Sequence, residues 1–378
     1  MSRTSGVTRI GFVEFVGCRD QSAVVVDRAP GNSGDLVKVA FTEVNFIRNG
    51  EDRAFIHGGA VRAEPCQEES CPQGLLRFAE CLFMRNRAMY GGAIHVEDWE
   101  LRVQRSQFIE NEADLSGGAI YAFSDAQTEL TINRSTFEAN VAHGDQRVHG
   151  LEESVLLETS NQTLATVGMG GAVFAFCPLK ALIADSTFKR NQGCRGAGGI
   201  GVVHDGEGAG TNVTFGFTVA DSSFEENSAF CIPEADVLRQ LNHIRGTGGA
   251  VMSMSLGYTV LDWHLANSTL IGNRATRGGA VYVSSTVFST AAHNIESCTF
   301  ERNEAVTYGG AMAAVSAHLV MMGSRVRACK AVYGGGIMAW TEAILDVVPD
   351  PRNPKALSHI ENCVSYYGAG IHAALTGR

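Results

Sequence analysis

The chain has 378 residues, of which 43 are Gly and only 8 are Pro, about 11% and 2% against usual values of about 7% and 5%. With 45% hydrophobic and 19% charged residues it can bury a large core, which excludes a disordered chain. A formal net charge of −10, from 30 basic and 40 acidic residues, gives no footprint for nucleic acid, and no run of about eighteen apolar residues marks a membrane helix.

Read from the N-terminus, residues 1–40 form a partial first coil; the opening twenty residues lack the basic, apolar, then small order of a signal peptide. From Phe46 onward two short motifs alternate. Phe46 and Asn49 precede GGAV at 58–61, Phe83 and Asn86 precede GGAI at 91–94, and Phe108 and Asn111 precede GGAI at 117–120. Phe137 and Asn140 precede GGAV at 170–173, Phe188 and Asn191 precede AGGI at 197–200, and Phe224 and Asn227 precede GGAV at 248–251. Leu270 and Asn273 precede GGAV at 278–281, and Phe300 and Asn303 precede GGAM at 309–312. The last copies, GGGI at 334–337 and GAGI at 368–371, follow Cys329 and Cys363, each five residues earlier. A fixed pair of motifs with a basic period of about 25 residues means one supersecondary unit stacked on copies of itself.

Within a unit the apolar residues alternate, as in Leu130-Thr-Ile-Asn-Arg-Ser-Thr-Phe137 and Gly278-Gly-Ala-Val-Tyr-Val283, so the elements are strands and not helices. Three short strands and three turns per unit predict an all-β fold, a right-handed parallel β-helix solenoid of about ten coils, in one domain over 1–378. Ankyrin, TPR and HEAT repeats need two helices per unit, and a propeller blade needs about 40 residues. The Gly pair permits a positive φ or a close backbone approach. Asn tolerates the left-handed region, and its amide can hydrogen-bond along the axis as a ladder. The Phe side chains point inward and stack, at roughly 1.5 to 3 kcal/mol each.

Phe-x-x-Asn followed by Gly-Gly-Ala-Ile/Val, over about residues 40–375, resembles the repeat of the chlamydial polymorphic outer-membrane proteins and, more broadly, right-handed β-helix proteins of the pectate-lyase-like class. The resemblance implies a surface-exposed passenger used for adhesion. The chain departs from that family in showing neither a signal sequence nor a C-terminal membrane β-barrel, which points to a piece of a longer surface protein.

The largest insertions, near 141–168 and 228–247, fall between the Asn and the Gly pair, so loops are expected at one corner; residues 233–244 have apolar residues at helical spacing. In the strand after each Gly pair, Ile94/Val96, Ile120/Ala122, Val281/Val283 and Ile337/Ala339 are expected to point inward. The other parity places His95, Tyr121, Phe174, Gly201, Met252, Tyr282, Ala313, Met338 and His372 in one outward column. Glu97, Phe123, Phe176, Val203, Met254, Ser284, Val315, Trp340 and Ala374 make the next. An aromatic, Met-rich outer face is either a binding surface for a glycan or protein, or is covered by the insertions.

Cys329 and Cys363 replace the ladder Asn in adjacent coils, at a separation that allows either a disulfide or two buried thiols. Cys66 and Cys71 have no second pair or His at zinc spacing, so no metal site is expected. A lyase needs carboxylates for calcium with a base, and a hydrolase needs two carboxylates on neighbouring coils. Glu97/Asp98 and Asp205/Glu207 are not on adjacent coils, and His95 with Glu97, like His204-Asp205, reads as a solvated turn pair. The sequence therefore points to a non-enzymatic β-helix of the cell surface or extracellular space. It would bind a glycan or protein ligand in adhesion, as a monomer or within a longer chain, with no cofactor, nucleic-acid partner or membrane span. The alternative is a polysaccharide lyase or hydrolase of the pectate-lyase-like class.

Overall fold

A computed structural model describes residues 7–19, 22–27, 37–50, 57–65, 74–124, 128–144, 168–205, 214–230, 246–256, 260–285, 292–350, 352–354 and 356–374. Among the described residues every regular element is a β-strand, and three sheets of eleven strands run the length of the molecule. A fourth sheet of seven strands spans the middle. Every strand pairs in parallel with its counterpart one coil away, so the chain is a parallel β-helix.

One coil shows how local chemistry makes the shape. Trp99–Gln104 lies in the first sheet, Gln107–Ile109 in the second, Glu112–Ser116 in the fourth and Ile120–Phe123 in the third. Single left-handed residues separate them: Arg105 at φ 47°, Glu110 at φ 52° and Gly117 at φ 68°. One such residue turns an extended chain sharply without using a loop. For a residue with a Cβ it is strained by about 1–2 kcal/mol, so the next side chain must compensate.

It does so in two polar columns. The residue after the first corner is Ser in most coils; Ser106 Oγ accepts from the Cys81 N–H at 3.1 Å and donates to the Gln104 carbonyl at 3.0 Å. Ser135, Ser186 and Ser222 repeat the contact. The residue after the second corner is the repeat Asn. Asn111 Oδ1 accepts from both the N–H (3.0 Å) and the Nδ2 (2.9 Å) of Asn86, while its own Nδ2 donates to the Phe83 carbonyl and to Asn140 Oδ1. The ladder runs through Asn49, Asn86, Asn111, Asn140, Asn191, Asn227, Asn273 and Asn303, all fully buried. The left-handed residue is the one before each Asn, such as Arg85, Glu110 or Arg190. This corrects the expectation that Asn itself takes that conformation: its amide is used along the axis, between coils.

The inward column stacks as expected. Phe46, Phe83, Phe108, Phe137, Phe188 and Phe224 lie ring on ring at 4.5–4.9 Å, with Leu270, Phe300 and Val326 continuing the column. Trp99, Trp263, Phe41, Phe78 and Phe217 fill the interior from the first sheet. At the third corner the second Gly of each pair has no room for a side chain: a Cβ on Gly118 would meet the Gly171 carbonyl oxygen at 2.0 Å, and one on Gly279 would meet Gly310 at 2.1 Å.

The expected count of about ten coils is met: the ten coils marked by glycine motifs are preceded by Val7–Gly11, Glu14–Val16 and Val24–Val26, so the partial turn expected over 1–40 is a rung in all three long sheets, eleven in all. That rung enters its third strand through Ser22-Ala23 without a glycine pair. One expectation is corrected: the insertions do not enter at one corner alone. Residues 51–56, 145–167 and 231–245 fall between the second or fourth sheet and the third, but 28–36, 66–73, 206–213 and 286–291 fall between the third and the first. At the Asn corner no coil carries an extra residue, whereas the Ser corner of the last coil takes in residues 349–357 between Ile344–Val348 and Ser358, which still accepts from the Ser324 N–H. The seven segments named at the other corners, with the whole helical pattern at 233–244 and both Cys66 and Cys71, lie outside the described residues.

The Asn column predicts a specific cost. Asn140→Ala strips the Asn111 N–H and amide of their acceptor and takes the side-chain donor from the Phe108 carbonyl and from Asn191 Oδ1, which keeps the backbone N–H of residue 140, at about 1–3 kcal/mol for each buried group left unpaired. We expect a loss of about 3 kcal/mol or more in urea unfolding, and a smaller loss for Asn303→Ala, whose amide meets only the Cys329 sulfur, at 3.9 Å, on that side.

Candidate functional site

The outer side of the third sheet is built by strand register. His95 pairs with Tyr121, Tyr121 with Phe174, Phe174 with Gly201, Gly201 with Met252 and Met252 with Tyr282, and the column continues through Ala313, Met338 and His372. Facing is as the alternation predicts: Ile94, Val96, Ile120, Val281, Val283 and Ile337 belong to the interior cluster, and the opposite parity forms a second, separate apolar cluster.

That second cluster is a core and not an open surface. Tyr121 is 8% exposed, Phe174 0%, and Phe176, Met252, Met254, Tyr282 and Met338 are likewise buried. The expectation of an open binding face is corrected for these residues; only Phe123 and Trp340 of the proposed set remain partly exposed. Described side chains packed on the face are Met169, Ala197, Tyr90, Tyr308 and Tyr333. Burial raises the Tyr121 and Tyr282 phenols above their ordinary range, and Thr247 Oγ1 lies 3.2 Å from the Met252 sulfur.

The flanking residues follow a rule of position. The residue immediately before each glycine motif bridges to its equivalent one coil away: His57 to Tyr90, Thr247 to Arg277, Tyr308 to Tyr333 and Tyr333 to Tyr367. Because the following Gly turns left-handed, this residue lies beside the outward column. Its offset from the motif is constant, so it was legible in principle.

In the last coils this flank becomes an aromatic surface. Tyr308 and Tyr333 stack at 5.3 Å, Tyr333 and Tyr367 at 4.8 Å, Trp340 lies 5.1 Å from Tyr308, and His372 lies 5.7 Å from Tyr333. Arg277 caps the stack, its guanidinium 5.8 Å from the Tyr308 ring centre. Tyr367 is 55% exposed and Tyr366 86%. Tyr308, Tyr333 and Trp340 are half-buried although each has a coil on both sides.

Elsewhere the titratable groups fall into three settings. Exposed carboxylates pair with arginines one coil away, as in Glu110 with Arg85, Glu80 with Arg105, Glu138 with Arg190 and Glu361 with Arg325. Cys329 and Cys363 are free thiols, so the disulfide expectation is not met in this structure. Cys329 donates its S–H to the Cys363 sulfur, which brings Cys363 down to about 7, while the same bond and burial push Cys329 up. The histidines expected in solvated turns are instead buried. His204 is fully buried 4.5 Å from the Phe215 ring with neither ring nitrogen partnered, and desolvation lowers it to about 3. His95 is 2% exposed, with Glu97 at 3.4 Å and the half-buried His57 ring centred 4.6 Å away. No known protein family, curated protein or solved structure matches the chain.

Two measurements check these environments. At neutral pH, iodoacetamide should label the half-buried Cys363 well before Cys298, which burial pushes up to about 12; equal rates read by peptide mass spectrometry would contradict the thiol contact. Below pH 6.5 the unfolded chain protonates His204 and His293 while the folded chain, with pKa values of about 3 and 4, does not. Stability is therefore present above that pH and is lost as pH falls toward 4. His204→Leu should flatten this slope in urea titrations and be more stable than the parent at pH 5; an unchanged slope would show that His204 is not desolvated.

Proposed function

We propose that the protein is a non-enzymatic β-helix of the cell surface or extracellular space that binds a ligand in adhesion, as a member of the polymorphic outer-membrane-protein repeat class. The observation that carries the reading is the half-exposed aromatic surface of Tyr308, Tyr333, Trp340, Tyr366, Tyr367 and His372. Clustered Tyr and Trp present large rigid area with a polar tip at low entropic cost, which is the composition of binding hot spots. Because Tyr308, Tyr333 and Tyr367 stack on one another, they offer ring edges and hydroxyls more than free faces. This favours a protein ligand over a sugar ring, which needs a free face. The cross-coil Arg–Glu pairs support a structural role for those carboxylates in place of the acid–base pair a polysaccharide hydrolase requires. Cys194 is disulfide-bonded, which fits an oxidising compartment.

The test is a binding screen against extracellular-matrix proteins and glycans, with a polysaccharide lyase assay in calcium alongside. We expect a protein ligand whose affinity falls about 30-fold or more in Tyr333→Ala, the scale of a hot-spot residue at about 2 kcal/mol, while Tyr121→Phe binds as the parent does. Binding that ignores Tyr333→Ala and Trp340→Ala would move the site elsewhere. Depolymerisation of a polysaccharide would overturn the non-enzymatic reading.

A further inference from the structure

Near the other end of the molecule, three potential metal ligands converge from two coils. His57 precedes the glycine motif of the second coil, and His95 and Glu97 lie on one side of the strand Ile94–Glu97 in the third. Gly58 brings them together: it turns at φ +64°, and even a Cβ there would come within 2.9 Å of the His95 backbone nitrogen. One donor atom from each of His57, His95 and Glu97 lies within 4.8 Å of the others. We infer that these three residues form a binding site for one divalent transition-metal ion of the zinc type, with a fourth coordination position open on the Glu97 side.

The donor set fits the chemistry. Two imidazoles and a carboxylate with an open position is a recurrent zinc arrangement, with bonds of about 2.0–2.2 Å. Tetrahedral geometry then places ligand atoms about 3.3–3.6 Å apart, and His95 Nε2 to Glu97 Oε1 is already 3.4 Å. His57 Nδ1 is buried without a hydrogen-bond partner, an arrangement that costs stability unless something occupies it. Arg62 opposes a cation, but it pairs with Glu64 at 2.8 Å, so with Glu97 the local charge is −1 before metal binds. The stacked Tyr121 ring, 5.2 Å from His95, and the edge-on Tyr90 ring, 5.4 Å from His57, hold the imidazoles in place. The other described His–carboxylate contacts, His143 with Glu112, His264 with Glu296 and His318 with Asp346, offer one imidazole each.

The test uses the full chain freed of metal by a chelator, titrated with zinc chloride in a calorimeter and with cobalt(II) chloride by visible absorption. We expect one zinc ion per chain, a rise in the thermal midpoint with zinc, and a cobalt spectrum of nitrogen and oxygen ligation without thiolate charge transfer. His57→Gln and Glu97→Gln should each weaken zinc binding about 10-fold or more and His95→Phe should abolish it, since loss of a ligand exceeds the 10–100-fold cost of outer-shell changes. His318→Gln should leave it unchanged. His57→Gln and Glu97→Gln change partly exposed side chains, so they remain informative if His95→Phe does not fold. Absence of binding, binding unchanged in the His57 and Glu97 variants, or a thiolate cobalt spectrum would each overturn the assignment.

Discussion

The molecule depends on one arrangement: a line of buried amides that hydrogen-bond parallel to the long axis. Strand pairing alone joins neighbouring coils along three flat sides, but each coil must also turn corners, where backbone groups leave the ladders and would be stranded in the interior. The Asn column meets that need at one corner and the Ser column at another. Within the line, an Asn side chain such as Asn111 accepts two hydrogen bonds from the coil before and donates to the Phe carbonyl of that coil and to the amide of the coil after. Every amide thus has its partners only if every coil is in register, so satisfying buried polar groups and fixing the coil spacing are one event. The stacked Phe rings then follow from that spacing.

Most of this frame was legible in the amino-acid order. Phe and Asn recur three residues apart, the Gly motif follows, and no other repeat of that length accommodates alternation without helices. What was not legible has physical reasons. Asn is common both in left-handed turns and as a side-chain hydrogen-bonding residue, so composition could not say that the preceding Arg85 or Glu110 carries the positive φ. The Ser column sits two residues before each ladder Phe, as in Ser106 and Phe108, but Ser is so frequent on strand edges that the position does not stand out. The first rung reads only as a partial turn because it lacks the Gly pair that marks the others.

The outer face shows a different limit. Alternation correctly separates Ile94 from His95 and Val281 from Tyr282, because parity depends only on the strand itself. Whether the outward side chain meets water depends on what lies across from it, and that is a tertiary fact. Tyr121, Phe174 and Met252 became a second core, while Tyr308 and Tyr333, equally flanked along the axis, stayed half-exposed. The residues that distinguish the two regions, those preceding each Gly motif, stand at a fixed offset and can be sought in related repeats.

The amide line is not uniform along the molecule. It begins where the Cys18 N–H donates to Asn49 Oδ1 and stops where Asn303 meets the Cys329 sulfur, a weak acceptor. Between those points a displaced coil breaks bonds on both of its neighbours, which welds the stretch into one cooperative block. Past Asn303 the turns that carry the Tyr and Trp surface are held by sheet ladders, side-chain packing and the Ser324–Ser358 contact, without the amide line. A pulling force on a bound ligand would therefore peel those turns first and leave the block behind them wound.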